Sequence, residues 1–323
     1  MPTRKSKPSS NEKQASIDSG YAGEPVPSVG ADFIQAVSGA VHHTSDLVVK
    51  KMPPTLTLIY IDSLVDTMAL MKHVLNDLVK QPIDSPQTIV SNVTVSKVKT
   101  IEKMEEAIQA MMGGAVLIHV EGYAEVNAAM IPTSDARQIS ATENESQVIG
   151  AQAAFNESLS TNVSLIRRYI KNPNLCNENL EVGDQSKTSI AMLYIKGVAS
   201  DEMAQTLRQR IQDLKTDSVL DSSILEQMID DNSLSIFPQM LLTERPDKVC
   251  AELLNGKLAV IVDGSPLALI CPHSFIEFFQ SQEDQNLRWQ MATFLRLLRF
   301  GAVVLSVFLT LQSARASTGT EAV

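Results

Sequence analysis

Val249 to Ala268 reads VCAELLNGKLAVIVDGSPLA, and its pattern returns earlier in the chain as EEAIQAMMGGAVLIHVEGYA, Glu105 to Ala124. In the later copy a helix over Pro246–Leu254 is expected to stop at Asn255-Gly256, where glycine frees the left-handed conformation that helix ends favour. Two apolar strands, Leu258–Val262 and Leu267–Cys271, then flank Asp263-Gly264-Ser265-Pro266, residue types suited to a tight hairpin turn. The spacing aligns Gly114 with Gly256 and Gly122 with Gly264. A second pair of segments repeats upstream: LTLIYIDSLV, Leu56 to Val65, matches IAMLYIKGVA, Ile190 to Ala199. In both, an apolar strand ends at Tyr-Ile and passes through a small-residue turn into a helix, about Asp66–Val79 in one case and Ser200–Leu214 in the other. An internal repeat of this kind predicts an α/β fold of two similar mixed-sheet subdomains with packed helices.

The rest of the chain arranges itself around those two units. Residues 1–30 are rich in Pro, Ser, Gly, Lys and Glu and read as a disordered tail. Its basic cluster Thr3–Lys7 reads either as solvated or as weakly drawn to anionic lipid. Subdomain 1 is expected over 31–131, opening with a short helix at Phe33–His42 and a strand near Asp46–Lys51. The polar stretch 132–150 reads as the crossing segment. Subdomain 2 is expected over 151–285, led by a helix at Phe155–Lys171. Leu159, Val163, Ile166 and Ile170 form its apolar stripe, with Glu157, Asn162, Arg167 and Arg168 off it.

Composition limits function. Hydrophobic residues make up 44% and charged residues 20% of the 323, as in a globular protein. A formal net charge of −10 argues against nucleic acid as a partner, since phosphates demand a basic surface. Cys176, Cys250 and Cys271 have no metal-ligand spacing and read as reduced thiols in or near the core. The first thirty residues lack the apolar segment of a signal peptide. Of His42, His43, His73, His119 and His273, none stands in ligand spacing, and His119 alternates within an apolar strand as a structural histidine would. Gly183–Thr188 lacks the glycine a phosphate loop needs before its lysine and reads as a turn. Asp230-Asp231-Asn232 reads as a solvated helix end. No catalytic, cofactor or metal site is expected, and the chain is read as a non-enzyme.

Four fragments carry a resemblance. TERPD (Thr243–Asp247), LLNGKLAVIVDGSPLALI (Leu253–Ile270), FFQSQED (Phe278–Asp284) and ATFLRLLR (Ala292–Arg299) occur in this order. Together they resemble the A subunit of the GerA-type spore germination receptors, as does the segment FNESLSTNVSLIRRYI at Phe155–Ile170. Just before that segment, Ala151-Gln-Ala-Ala154 departs from the family's Pro and charged residues. The resemblance implies a soluble region on the cytoplasmic side of the inner spore membrane, working with B and C subunits and with copies of itself in nutrient-triggered signalling. No cofactor is implied. The candidates for subunit or membrane contact are Asn162, Arg167, Arg168, Glu244, Arg245, Arg296 and Arg299. Within TERPD, Pro246 also suits the first turn of a helix, with Glu244 or Asp247 favoured by its positive end and Arg245 paired nearby.

A short C-terminal membrane-entering helix is expected over 286–312, with a disordered tail at 313–323. The apolar run Gly301–Leu311 reaches only about 17 Å as a helix, short of the roughly 30 Å of a bilayer core. Extending it back to Phe294 takes in Arg296 and Arg299, which can snorkel to the lipid headgroups. Arg288, Arg296 and Arg299 precede the run, and Arg315 follows it, so the preceding domain is expected on the cytoplasmic side. In the family more spans follow. This sequence turns to Gln312–Val323 instead, the pattern expected of a chain cut short within its first span and inactive for want of a conduction path. A different class of function stays open: a soluble two-lobed module that binds a small molecule.

Overall fold

The computed structural model describes residues 21, 23–52, 55–80, 83, 85–95, 97–133, 140, 141, 145, 152–230, 239–274 and 289–320. Lobe 1 begins with helix α1 (Gly30–Ala40) and the hairpin β1 (Leu47–Met52) and β2 (Leu56–Ile61). A helical run follows: α2 (Thr67–Leu70), a π-helical turn (Met71–Leu75) and α3 (Asn76–Lys80). Next come α4 (Pro86–Asn92), β3 (Val98–Ile101), α5 (Met104–Met112), β4 (Ala115–Val120) and β5 (Val126–Met130). Two short strands, β6 (Ser140–Ala141) and β7 (Ala153–Ala154), lie between the lobes in sequence. Lobe 2 contains α6 (Leu159–Tyr169), β8 (Leu175–Val182), β9 (Thr188–Ile195), α7 (Asp201–Gln212) and α8 (Ser222–Ile229). It is completed by β10 (Leu241–Thr243), α9 (Pro246–Leu254), β11 (Leu258–Val262) and β12 (Ala268–Cys271). A last helix spans Trp289–Thr320.

The repeat is a repeat of topology. Sheet 1 runs β1-β2-β4-β5-β3, and sheet 2 runs β8-β9-β11-β12-β10, the same order strand for strand. Both sheets are antiparallel throughout, where a mixed sheet is expected from the sequence. The reason is an insertion. Helix α5 joins β3 to β4, which run in the same direction, but β5 folds back between them and pairs with both. Helix α9 and strand β12 do the same in lobe 2.

Each sheet is covered on both faces because its inner strands are apolar on both sides. In β2, Ile59 and Ile61 face Phe33, Val37, Ile108 and Met111 of α1 and α5. Leu58 and Tyr60 alternate to the opposite face, against Leu70, Val74 and Leu78 of the helical run and Ile89 of α4. In lobe 2, α6 and α9 cover one face and α7 and α8 the other.

Smaller contacts repeat as well. Glu121 accepts a hydrogen bond from Gly30 N at the head of α1 (3.0 Å), and Asp263 accepts one from Leu159 N at the head of α6 (3.1 Å). Gly122 N donates to Ser28 O (2.9 Å) and Gly264 N to Glu157 O (2.8 Å). Val26 N donates to Glu102 O and Phe155 N to Glu244 O, each at 2.9 Å. Thus in each lobe an acidic residue and a glycine at the hairpin turn hold the start of the leading helix, where free N–H groups need acceptors. Gly114 and Gly256 both sit at φ 88°. A Cβ on either would lie 2.9 Å from the carbonyl oxygen of the repeat-equivalent residue, Leu64 or Val198. Those two sites require glycine on both counts.

Several boundaries differ from expectation. Lobe 1 starts inside the stretch read as a disordered tail, since Val26 is buried and bonded to Glu102. Helix α6 starts at Leu159 rather than Phe155, because Phe155 N–H is bonded to Glu244 O of lobe 2 and Ser158 serves as the cap. The last helix continues through Thr320, beyond the predicted end at 312, since no helix breaker interrupts Gln312–Ser317. Phe275–Asp284, Asp231-Asn232 and most of 132–150 lie outside the described residues.

Candidate functional site: the cleft and its buried ion pair

The two lobes meet where the loop between α1 and β1 presses on α6 and the outer edge of β8. Ser45 N donates to Asn177 O (2.7 Å), and Asn179 N donates to Ser45 Oγ (3.0 Å), so lobe 1 engages the edge of sheet 2 directly. Behind this contact lies Arg167, fully buried at 0% exposure. Its Nε donates to Asp46 Oδ2 (2.6 Å) and its Nη2 to Asp46 Oδ1 (2.7 Å), a two-point fork that a planar guanidinium makes and an ammonium cannot. Nη2 also donates to Thr44 Oγ1 (2.8 Å), and Ser63 Oγ donates to Asp46 Oδ2 (2.6 Å). Burial by itself would raise the Asp46 pKa. The Arg167 charge and the hydrogen bonds from Arg167, Ser63 and Thr44 outweigh it and hold the carboxyl below its ordinary range.

In front of the pair a cleft of about 750 Å³ opens between the lobes. Asp46, Asp62 and Asp66 line it from lobe 1 and Asp263 from lobe 2, with serine and threonine hydroxyls between them and, among the described residues, no lysine or arginine in the wall. Burial, then the neighbouring Asp46 charge, raises the Asp62 pKa. Asn177 is 3% exposed and lines the same cleft, and its side-chain Oδ1 has no hydrogen-bond partner among the described residues. A ligand bearing a positive charge and N–H donors fits such a wall. Among the described residues no group of three or more His, Cys, Asp and Glu is placed to hold a metal ion.

The residues singled out from the sequence are placed as follows. Asn162 is buried and pins the turn before α6: its Nδ2 donates to Asn156 O (2.6 Å) and its Oδ1 accepts from Asn156 N (2.9 Å). Arg167 joins the lobes, whereas Arg168 beside it is exposed. Glu244 and Arg245 are also buried, at 8% and 2% exposure. Arg245 makes a fork to Asp247, Nε to Oδ1 at 3.1 Å and Nη2 to Oδ2 at 2.6 Å, at the head of α9. Arg296 is exposed and Arg299 half-buried on the last helix. Arg167, off the apolar stripe of α6, is buried because lobe 1 covers the face that a lone helix would show to water. Asp46 carried no signal of its own in the sequence. Asp62 and Asp263 did, since each closes an apolar strand just before a turn. His119 is buried, its Nε2 within reach of Pro27 O (2.9 Å) and Tyr123 O (3.0 Å), and it stacks on Phe33. The three cysteines are free and buried, and burial pushes the Cys250 and Cys271 thiols up to about 12.

Beyond the lobes, Trp289–Thr310 forms a helical stretch of 22 residues, none of it buried against the protein. Its only charged side chains are Arg296 and Arg299. At 1.5 Å per residue it reaches about 33 Å, enough to cross a bilayer core. These features define a class: a duplicated, two-lobed α/β domain with a polar cleft, carrying an apolar helix long enough to span a membrane.

The particular family follows from comparison. The family model described as Bacillus/Clostridium GerA spore germination protein matches residues 35–311, and the chain belongs to that family. Spore germination protein GerQA of Bacillus cereus is 38% identical over 253 residues, covering 78% of this chain and 50% of that protein. Spore germination protein KA of Bacillus subtilis is 38% identical over 251 residues, covering 76% and 46%. Among solved structures, the N-terminal domain of the A subunit of the Bacillus megaterium spore germinant receptor GerK3 is similar, with a TM-score of 0.61 and 28% identity. That likeness covers 78% of this chain and 97% of that one. The chain spans about half the length of the curated relatives it matches.

Proposed function

We propose that the chain acts as an A-type subunit of a spore germinant receptor. The two lobes would lie on the cytoplasmic side of the inner spore membrane, and the last helix would enter the bilayer. B and C subunits, and further copies of the chain, would be its partners in passing on a nutrient signal. One observation carries the reading: a GerA-family two-lobed domain leads into an unburied apolar helix of membrane-spanning length. Orientation rests on the arginines ahead of the apolar run. On this reading Arg168, exposed on α6, and Arg296 and Arg299 on the last helix are candidates for subunit or headgroup contact. The test is isolation of the tagged chain from spore inner membranes. Co-isolation of B and C subunits is the expected result; a chain recovered only in the soluble fraction, alone, would refute the assignment.

The acidic cleft supports a second reading, a binding site for a small molecule with an ammonium group. A panel of small ammonium compounds and their neutral isosteres is expected to separate in a thermal-shift assay. Only the charged members should raise the melting temperature, and Asp62→Asn should reduce the rise. Equal effects of charged and neutral members would exclude the cleft as a cation site.

A further inference from the structure

The TERPD stretch has a second role that its own helix does not require. Between the lobes, the chain leaves lobe 1 at Thr133, whose N–H donates to Leu64 O (3.0 Å). It settles on lobe 2 at Phe155, which is buried against α6 and α9. Between these points Glu145 is held by lobe 2 through every polar atom it has. Its N–H donates to Glu244 Oε1 (2.7 Å), and its carbonyl oxygen accepts from Arg245 Nη1 (3.2 Å). Its carboxylate accepts from Thr243 Oγ1 (2.5 Å) and Lys248 Nζ (3.2 Å). Arg245 can serve because its fork to Asp247 fixes the guanidinium plane. Nearby, β6 pairs with β7, Ser140 opposite Ala154 and Ala141 opposite Ala153, and β7 packs on α9.

We propose that Glu145 is the anchor that fastens the crossing segment to lobe 2, with Thr243–Lys248 as its receptor. The inference stands whether or not the receptor reading is right.

Amide hydrogen exchange on the whole chain tests it. Glu145→Ala is expected to speed exchange at 140–141 and 153–155 by at least about tenfold, since hydrogen bonds to a charged group are lost there. Exchange in β9 and α7 should stay at the wild-type rate. Glu145→Gln, which keeps a side-chain oxygen to accept from Thr243 but loses the charge that faces Lys248, should fall between. If Glu145→Ala does not fold, Lys248→Met removes one contact at the same place and is read in the same way. Unchanged exchange at 140–141 and 153–155, or an equal rise throughout lobe 2, overturns the proposal.

Discussion

Replacing Asp46 by alanine is expected to lower the unfolding free energy by about 3–5 kcal/mol, because it leaves the Arg167 guanidinium buried without its counter-charge. Arg167→Met should cost a similar amount by stranding Asp46 and the Ser63 and Thr44 hydroxyls that serve it. The two changes made together should cost clearly less than their sum, since no uncompensated charge then remains. The pH dependence has a definite sign. Asp46 titrates lower in the folded chain than in the unfolded one, so its contribution is fully present above the unfolded value of about 4. It is lost as the pH falls through the lower folded value. Urea unfolding from pH 7 down to pH 3 measures this. Asp46→Asn should flatten the acid limb of the stability curve; a limb as steep as wild type, or single-mutant losses below about 1 kcal/mol, would show that the pair does not hold the lobes.

Removing residues 289–323 is expected to move the chain from the membrane fraction to the soluble one while leaving both lobes folded. The helix is unburied against the lobes, so its loss removes no packing from either core. Placing one charge near the middle of the span, as in Leu305→Asp, should act in the same direction without shortening the chain. Its cost at the bilayer centre is about 2.5–3.5 kcal/mol. Flotation with vesicles measures both changes, and far-UV circular dichroism checks the fold. Flotation that survives the deletion would place the membrane contact on the lobes, and unfolding on deletion would make the helix part of the domain.

Much of the architecture was readable from local patterns. Gly114 and Gly256, and Gly122 and Gly264, are sites where glycine satisfies a local backbone demand, and the two Tyr-Ile strand ends repeat one apolar pattern. Such demands are visible one segment at a time, so the duplication could be seen without knowing which strands pair. The sheets were harder. Whether β5 returns beside β4 alone or slips between β3 and β4 depends on a strand outside the repeat motif, and the expected mixed sheet gave way to an antiparallel one. For the candidate site, TERPD and the Arg167–Arg168 pair stood out by residue type, but not by their surroundings. A polar residue off the apolar stripe of a helix faces water unless another element covers it, and that cover for Arg167 comes from Asp46, far away in sequence.

The sequence by itself determined the duplicated α/β build, the turns that demand glycine and the apolar helix that follows the lobes, because each is written in short-range spacing and side-chain chemistry. Only the tertiary structure decided which charges are inside: it joined Asp46 to Arg167 and Glu145 to Thr243–Lys248. Those pairings lie about a hundred or more residues apart, and a buried charge is tolerated only where the fold brings its partner to it.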